Sequence, residues 1–310
     1  MSKILHITNG DSFTSYLEQL NIKGDIITWR EMLCEGRTTT DVGSESFWRT
    51  RFDFLKNSYK VSKERFVEFT LKEYRRLCNQ KHQQEIVLWF EYDLFCQVNM
   101  IAVLSWLHKN RKGVPVSLVC SGKEDDTERL YGLSELSAEH IGLLYKKRLH
   151  LTLDDIEYAD YIWQLYCGDN PIQLYTAIKQ NSSQLKYITP AFLSHLHRFP
   201  TVENGLNELE NNVLKAARDH KINSKDQLVV HMLKNQGYYG FSDLQYKKLI
   251  TGLRPLFVSF HPAKLTKLGN EVAQNITNYY GTIKDDNVYL GGAPKYSFLY
   301  HAETDKLLKL

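Results

Sequence analysis

Four short apolar runs, rich in β-branched and aromatic residues, mark the first part of the chain: Lys3–Thr8 (KILHIT), Asp25–Trp29 (DIITW), Glu85–Phe90 (EIVLWF) and Pro115–Cys120 (PVSLVC). None alternates cleanly with polar residues, which is the pattern of strands covered on both faces. Between them, apolar positions recur at helical spacing. Phe13, Tyr16, Leu17 and Leu20 form one stripe; Phe47, Phe54 and Leu55 a second; Phe66, Phe69, Tyr74 and Leu77 a third; Val98, Ile101, Ala102, Leu104 and Leu107 a fourth. Strand–helix alternation with crossovers of this length predicts an α/β fold, a Rossmann-like parallel sheet domain over residues 1–125.

Beyond Gly122 the pattern predicts no further strands for some distance. Lys123–Arg129 reads as a charged surface loop. Helices are expected at Ser137–Leu149, Leu153–Tyr166, Pro171–Gln180 and Thr189–Leu196, making residues 126–200 a helical region. In residues 201–310, three short helices are expected at Leu206–His220, Ser224–Lys234 and Phe241–Leu253. An extended segment, Pro255–Phe260, follows, and then a helix from Leu265-Thr266 to Ile276. That succession is the outline of a winged-helix-like domain. Asn287–Leu310 alternates around Gly291-Gly292 and Pro294, as a small C-terminal antiparallel hairpin would.

Composition narrows the class. With 310 residues, 43% hydrophobic and 24% charged, the chain has enough apolar material to offset the entropy of ordering, which excludes a largely disordered protein. No apolar run approaches about 18 residues, so no membrane partner is expected, and the opening MSKILHITNGDS turns polar too early for a signal peptide. The net charge of +3 is too balanced to announce a nucleic-acid partner by itself. The five cysteines form no C-x-x-C pair, so reduced thiols and a cytoplasmic location are expected.

In parallel sheets, ligands bind beyond the carboxyl ends of the strands, where helix N-termini offer free amides. Asn9-Gly10-Asp11-Ser12 follows the first expected strand. Arg30-Glu31 and then Cys34-Glu35-Gly36-Arg37 follow the second. Glu91-Tyr92-Asp93, with Gln97 and Asn99, follows the third, and Ser121-Gly122 the fourth. The leading expectation is a small nucleotide-like or phosphorylated ligand. Gly10 and Ser12 would present amides to phosphate, Arg30 and Arg49 would neutralise it, and Glu31, Glu35 and Gln97 would line the pocket. Asp11, Glu91 and Asp93 are the candidate catalytic carboxylates, holding Mg²⁺ or a ribose, or acting as general base. The competing expectation is that Asp11, Ser12, Glu91 and Asp93 merely cap helices, which is the role they would have in a purely structural, partner-binding protein. A nucleic-acid-binding regulator is the alternative function, with Lys247, Lys248 and Arg254 on the winged-helix-like unit.

Two resemblances add to this. The strand–Gly10-Asp11-Ser12–helix block is similar to the nucleophile block of GDSL-type esterases, which would make Ser12 a nucleophile. That family's late Asp-x-x-His element and its Gly-x-Asn-Asp block are missing, and the late histidines His261 and His301 lack the expected partner. The whole chain resembles the bacterial domain-of-unknown-function 1835 proteins, in the branch common in Bacteroidetes. The matching stretches are HITNGDS (His6–Ser12), ITWREMLCEG (Ile27–Gly36), Trp48–Phe54, IVLWFEYDLFCQVNM (Ile86–Met100), SLVCSG (Ser117–Gly122), RFPTVENGLNELE (Arg198–Glu210), YYGFSDLQY (Tyr238–Tyr246) and LTKLG (Leu265–Gly269). The chain departs from that pattern at Arg37, where Pro is expected. The resemblance implies the fold and the same strand-end residues, and no reaction.

Overall fold

The computed structural model describes residues 3–123 and 129–310, so most of the expected charged loop, and the expected boundary between residues 125 and 126, lie outside the described residues. The first part of the chain forms β1 (Ile4–Asn9), α1 (Asp11–Gln19), β2 (Asp25–Trp29), β3 (Gly36–Arg37), α2 (Glu45–Tyr59), α3 (Lys63–Phe66), α4 (Lys72–Asn79), β4 (Glu85–Phe90), α5 (Leu94–Asn110) and β5 (Val116–Cys120). A π-helical turn, Val67–Leu71, joins α3 to α4. Next come α6 (Ala138–Lys146), β6 (Leu149–His150), α7 (Leu153–Cys167), α8 (Pro171–Lys179) and α9 (Ile188–Leu196). The last third holds α10 (Glu208–Asp219), α11 (Lys225–Lys234), α12 (Asp243–Gly252), β7 (Phe257–Phe260), β8 (Ala263–Leu265), α13 (Lys267–Ala273) and α14 (Tyr280–Ile283), then β9 (Tyr289–Gly291), β10 (Ala293–Pro294), β11 (Phe298–His301) and β12 (Lys306–Lys309).

The central sheet runs β2-β1-β4-β5-β6. Its first four strands are parallel, and they are the four read from the sequence. The fifth is a correction. Leu149–His150 pairs antiparallel with β5, and the helix expected to reach Leu149 stops at Lys146. A two-residue strand is too short to carry a period. The sheet is covered on both faces, as the apolar runs imply. Val87, Trp89 and Val119 face Phe13 and Leu17 of α1 and Ile141 of α6, while Ile86, Leu88, Phe90 and Leu118 face the larger core on the other side.

Helix α5 departs from the expected stripe. From Cys96 to Leu107 every residue is buried, including Gln97, Asn99 and Ser105, so the helix is enclosed on all sides. Helices α7 and α9 pack against it. One continuous apolar core extends from Leu5 through Trp163 and Phe192 to Tyr246 and Leu307.

The C-terminal third folds back onto the first. Helices α10, α11 and α12 pack on one another, and the antiparallel β7–β8 pair lies against α10. Gly291-Gly292 turns β9 into β10 as expected, but β9 also pairs in parallel with β3, the strand in the loop after β2. A second hairpin, β11–β12, accounts for the rest of the expected alternation. Among the described residues no helix is long and apolar enough to cross a membrane.

Candidate functional site

The sheet order places β1 beside β4, with β2 and β5 outside them, so the direction of strand addition reverses between β1 and β4. The carboxyl ends of these two strands therefore flank the crevice in which open α/β sheets bind ligands. Each strand leads into a helix there, and the two helix N-termini are in different states.

At the end of β1, Gly10 has φ 86° and ψ 164°, a conformation essentially restricted to glycine, and α1 begins at the next residue with no side-chain cap. The first-turn amides of Asp11, Ser12 and Phe13 meet no protein acceptor among the described residues. Asp11 does not cap the helix. Its exposed carboxylate accepts from Nε of Arg30 at 2.7 Å, and Arg30 also donates to the Phe69 carbonyl at 3.1 Å. Ser12 Oγ lies 3.4 Å from Ser134 Oγ, and among the described residues no histidine is hydrogen-bonded to it. His301 Nδ1 is bonded instead to Thr304. The constellation needed to activate Ser12 as a nucleophile is not assembled.

At the end of β4 the amides are taken. Asp93 Oδ1 accepts from Cys96 N at 2.9 Å, while Leu94 N and Phe95 N donate to the carbonyls of Tyr238 and Tyr239 at 2.7 and 3.3 Å. The Tyr238–Phe241 loop thus sits on the end of α5, with Gly240, at φ 66°, directly against Asp93. Asp93 is buried, and burial pushes its carboxyl up to about 6. Glu91 lies mainly under protein and accepts from Leu133 N at 2.7 Å. Burial, and then the Asp93 charge, push it up to about 7. Gln97 Nε2 donates to the Glu91 carbonyl at 2.7 Å. Glu91, Asp93 and Cys96 place one ligand atom each within 4.8 Å of one another. Burial and the two carboxylates push the Cys96 thiol well above its usual range, so it is protonated and a poor partner for a hard cation. Asp11 is not part of this cluster.

Several expected site residues are placed elsewhere, for identifiable reasons. Glu31 is buried in an ion pair with Arg51, at 3.0 Å, and Arg51 also donates to the carbonyls of Met32, Glu35 and Arg37. Arg49 lies on the outer face of α2, paired with Glu45 one turn back. Lys247 pairs with Asp243 on the surface of α12, whereas Lys248 reaches the opposite way to within 4.6 Å of the Tyr59 ring. Arg254 donates to the Phe257 carbonyl and lies over the Phe260 ring. Lys247 and Lys248 point about 100° apart on α12, as adjacent helical positions do, and each of the three cations is engaged by a neighbour within the chain. Glu35 accepts from the Tyr59 hydroxyl and lines a cleft that sequence reasoning did not anticipate.

That cleft, of about 960 Å³, lies between α2 with the β3 loop on one side and α10, α12 and the β9 segment on the other. Arg198, Lys295 and Gln245 on its walls are buried. Nothing in Leu193–Pro200 (LSHLHRFP) singles Arg198 out, since Ser194, His195 and His197 lie beside it; Arg198–Pro200 reads only as the end of a helical block.

No protein-family model matches the chain, and no curated protein is similar to it. Among solved structures it is similar to the Plasmodium falciparum topoisomerase II DNA-binding, cleavage and re-ligation domain, with 11% identity and a TM-score of 0.46, over 81% of this chain. The chain spans 42% of that structure's length. A likeness of this degree carries no argument about fold or activity.

Proposed function

We propose that this protein binds a phosphorylated, nucleotide-like ligand at the carboxyl edge of its sheet, with the phosphate on the open N-terminus of α1. The observation that carries this reading is the first turn of α1. Three amides follow a glycine in a conformation other residues avoid, without a side-chain cap, beside an arginine. Unpaired first-turn amides and the helix dipole favour an anion at that point. In this reading Arg30 swings from Asp11 to the phosphate. Glu91 and Asp93, in the turn after the neighbouring strand β4, act as a proton-exchanging pair or hold a Mg²⁺ ion through oxygen alone. Their raised carboxyls support it, since perturbed acids collect at sites with chemistry to perform. The sheet order and the glycine turn are what support a Rossmann-like description of the first domain. Helices α10–α12 with the β7–β8 pair support a winged-helix-like one for the last, and the resemblance to the domain-of-unknown-function 1835 proteins is carried forward on the same residues. The dispersal of Lys247, Lys248 and Arg254 weighs against nucleic acid as the ligand of that last unit.

A thermal-shift series with nucleotides, sugar phosphates and Mg²⁺ tests the proposal, because a ligand that binds only the native state raises its melting temperature. The wild type is expected to shift, Arg30→Ala to lose most of the shift, and Glu91→Gln to lose the Mg²⁺-dependent part. Equal shifts in wild type and Arg30→Ala would overturn the assignment.

A further inference from the structure

Two buried arginines next to the β3 loop differ in one respect. Arg51, fully buried, is satisfied within the chain by the Glu31 carboxylate and three carbonyls. Arg198 is 6% exposed and, among the described residues, makes one hydrogen bond, from Nη1 to the Cys34 carbonyl; its guanidinium carbon lies 5.2 Å from the Phe241 ring centre. Among the described residues it forms no ion pair. A buried cation without a counter-ion is unfavourable, and Arg198 lines the cleft of about 960 Å³. The missing charge is supplied most simply from that side.

We propose that this cleft is a second ligand site, separate from the α1 N-terminus, and that it takes a nucleoside monophosphate: a planar ring system bearing one phosphate. None of Gly10, Asp11, Ser12, Arg30, Glu91 or Asp93 lines it. Arg198 offers its remaining donors in the fork that suits phosphate oxygens. Lys248, with Nζ 4.6 Å from the Tyr59 ring centre, and Arg37, 5.0 Å from that of Tyr289, supply charge at the rim. Phe54 and Tyr289, half-buried on the wall, give aromatic surface against which a base can pack, while the Phe241 ring is already covered by Arg198. Lys295 adds no net charge, since Glu210 neutralises it at 3.0 Å. The unpaired wall charges are then Arg37, Arg198 and Lys248 against Glu35 and Asp53. That surplus of one cation suits a single phosphate better than a polyanion, and the two carboxylates can accept from ribose hydroxyls. The volume falls within the range of about 300–1,000 Å³ usual for small-ligand pockets.

Calorimetric titration of the full chain with adenosine 5′-monophosphate, adenosine and inorganic phosphate tests this. The monophosphate should bind more tightly than either fragment. Arg198→Gln should weaken it at least about tenfold, the loss of charge-assisted hydrogen bonds, and Lys248→Ala by a smaller factor. Where the α1 site takes the monophosphate as well, Arg30→Ala removes that binding event, and the event weakened by Arg198→Gln should persist in it. Should Arg198→Gln fail to fold, Lys248→Ala and Arg37→Ala, both at the rim, decide instead. Unchanged affinity in the cleft variants, or no binding by the wild type, overturns the proposal. Loss of all binding in Arg30→Ala also overturns it and moves the nucleotide to the sheet edge. Tighter binding of a single-stranded oligonucleotide than of the monophosphate overturns the one-phosphate assignment.

Discussion

The helices that follow β1 and β4 begin at the same edge of the same sheet, each after a short polar turn, yet only one keeps its first-turn amides open. In α5 the amides of Leu94, Phe95 and Cys96 are all bonded, two of them to carbonyls about 145 residues further along the chain. In α1 those of Asp11, Ser12 and Phe13 are not. The difference teaches that a strand-end turn is not a binding site because of its sequence alone. Asp93 and the Tyr238–Phe241 loop together turn one potential anion site into a joint between the sheet edge and the loop before α12. At α1 the cap position is Gly10, which has no side chain to accept from the first turn, and Asp11 after it is paired with Arg30, so the helix stays open.

The largest test of this comparison is Gly240→Ala. A Cβ at Gly240 would lie 2.0 Å from Asp93 Oδ1, and its positive φ disfavours any other residue. The variant should lose about 2–4 kcal/mol in a denaturant titration, from overpacking and backbone strain together. The amides of Leu94 and Phe95 should exchange faster; a loss below about 0.5 kcal/mol with unchanged exchange would mean that the loop does not close α5.

A pH series sharpens the same end of the comparison. Glu91 and Asp93 have folded-state values of about 7 and about 6, above those of the unfolded chain, so the native state holds their protons more firmly. Their contribution is therefore complete below about pH 4 and is lost as the pH rises through about 7. Glu91→Gln/Asp93→Asn keeps an acceptor for Leu133 N and Cys96 N without the charge. Its melting temperature should gain on the wild type steadily between those limits and run parallel above them. A constant difference across that range would show that the acids are not perturbed.

Smaller effects belong to α1. Gly10→Ala meets no neighbouring atom within 4 Å, so only backbone strain is at stake, about 1–2 kcal/mol. Ser12→Ala removes no cap and should change stability by less than about 0.5 kcal/mol, whereas a cap residue would cost about 1. A Ser12→Ala loss of cap size in a denaturation midpoint would close the apparent opening at α1.

Much of the sheet was legible because its signals are local. Apolar runs of five or six residues with β-branched and aromatic members, such as Ile86–Phe90, have few alternatives to a covered strand. The Gly10 amide, expected to face a phosphate, is bonded instead to the Trp29 carbonyl at 3.0 Å, whereas Asp93 was legible as a cap, since a cap acts within three residues. The fates of Glu31, Arg49 and Arg198 were not. Glu31 and Arg51 are 20 residues apart and meet only because α2 packs over the loop after β2, and Arg198 faces a cleft whose far wall comes from residues 241–296. Short elements such as Leu149–His150 were invisible because two residues have no period.

The sequence by itself determined the four parallel strands, the main helices and which loops gather at the sheet edge, because hydrophobic periodicity and turn chemistry are properties of neighbouring residues. Only the tertiary structure decided which charged groups are paired, which amides are closed and where a cleft opens. Those outcomes depend on partners brought together from distant segments, and burial strengthens electrostatic and hydrogen-bonding requirements that an isolated segment in water never meets.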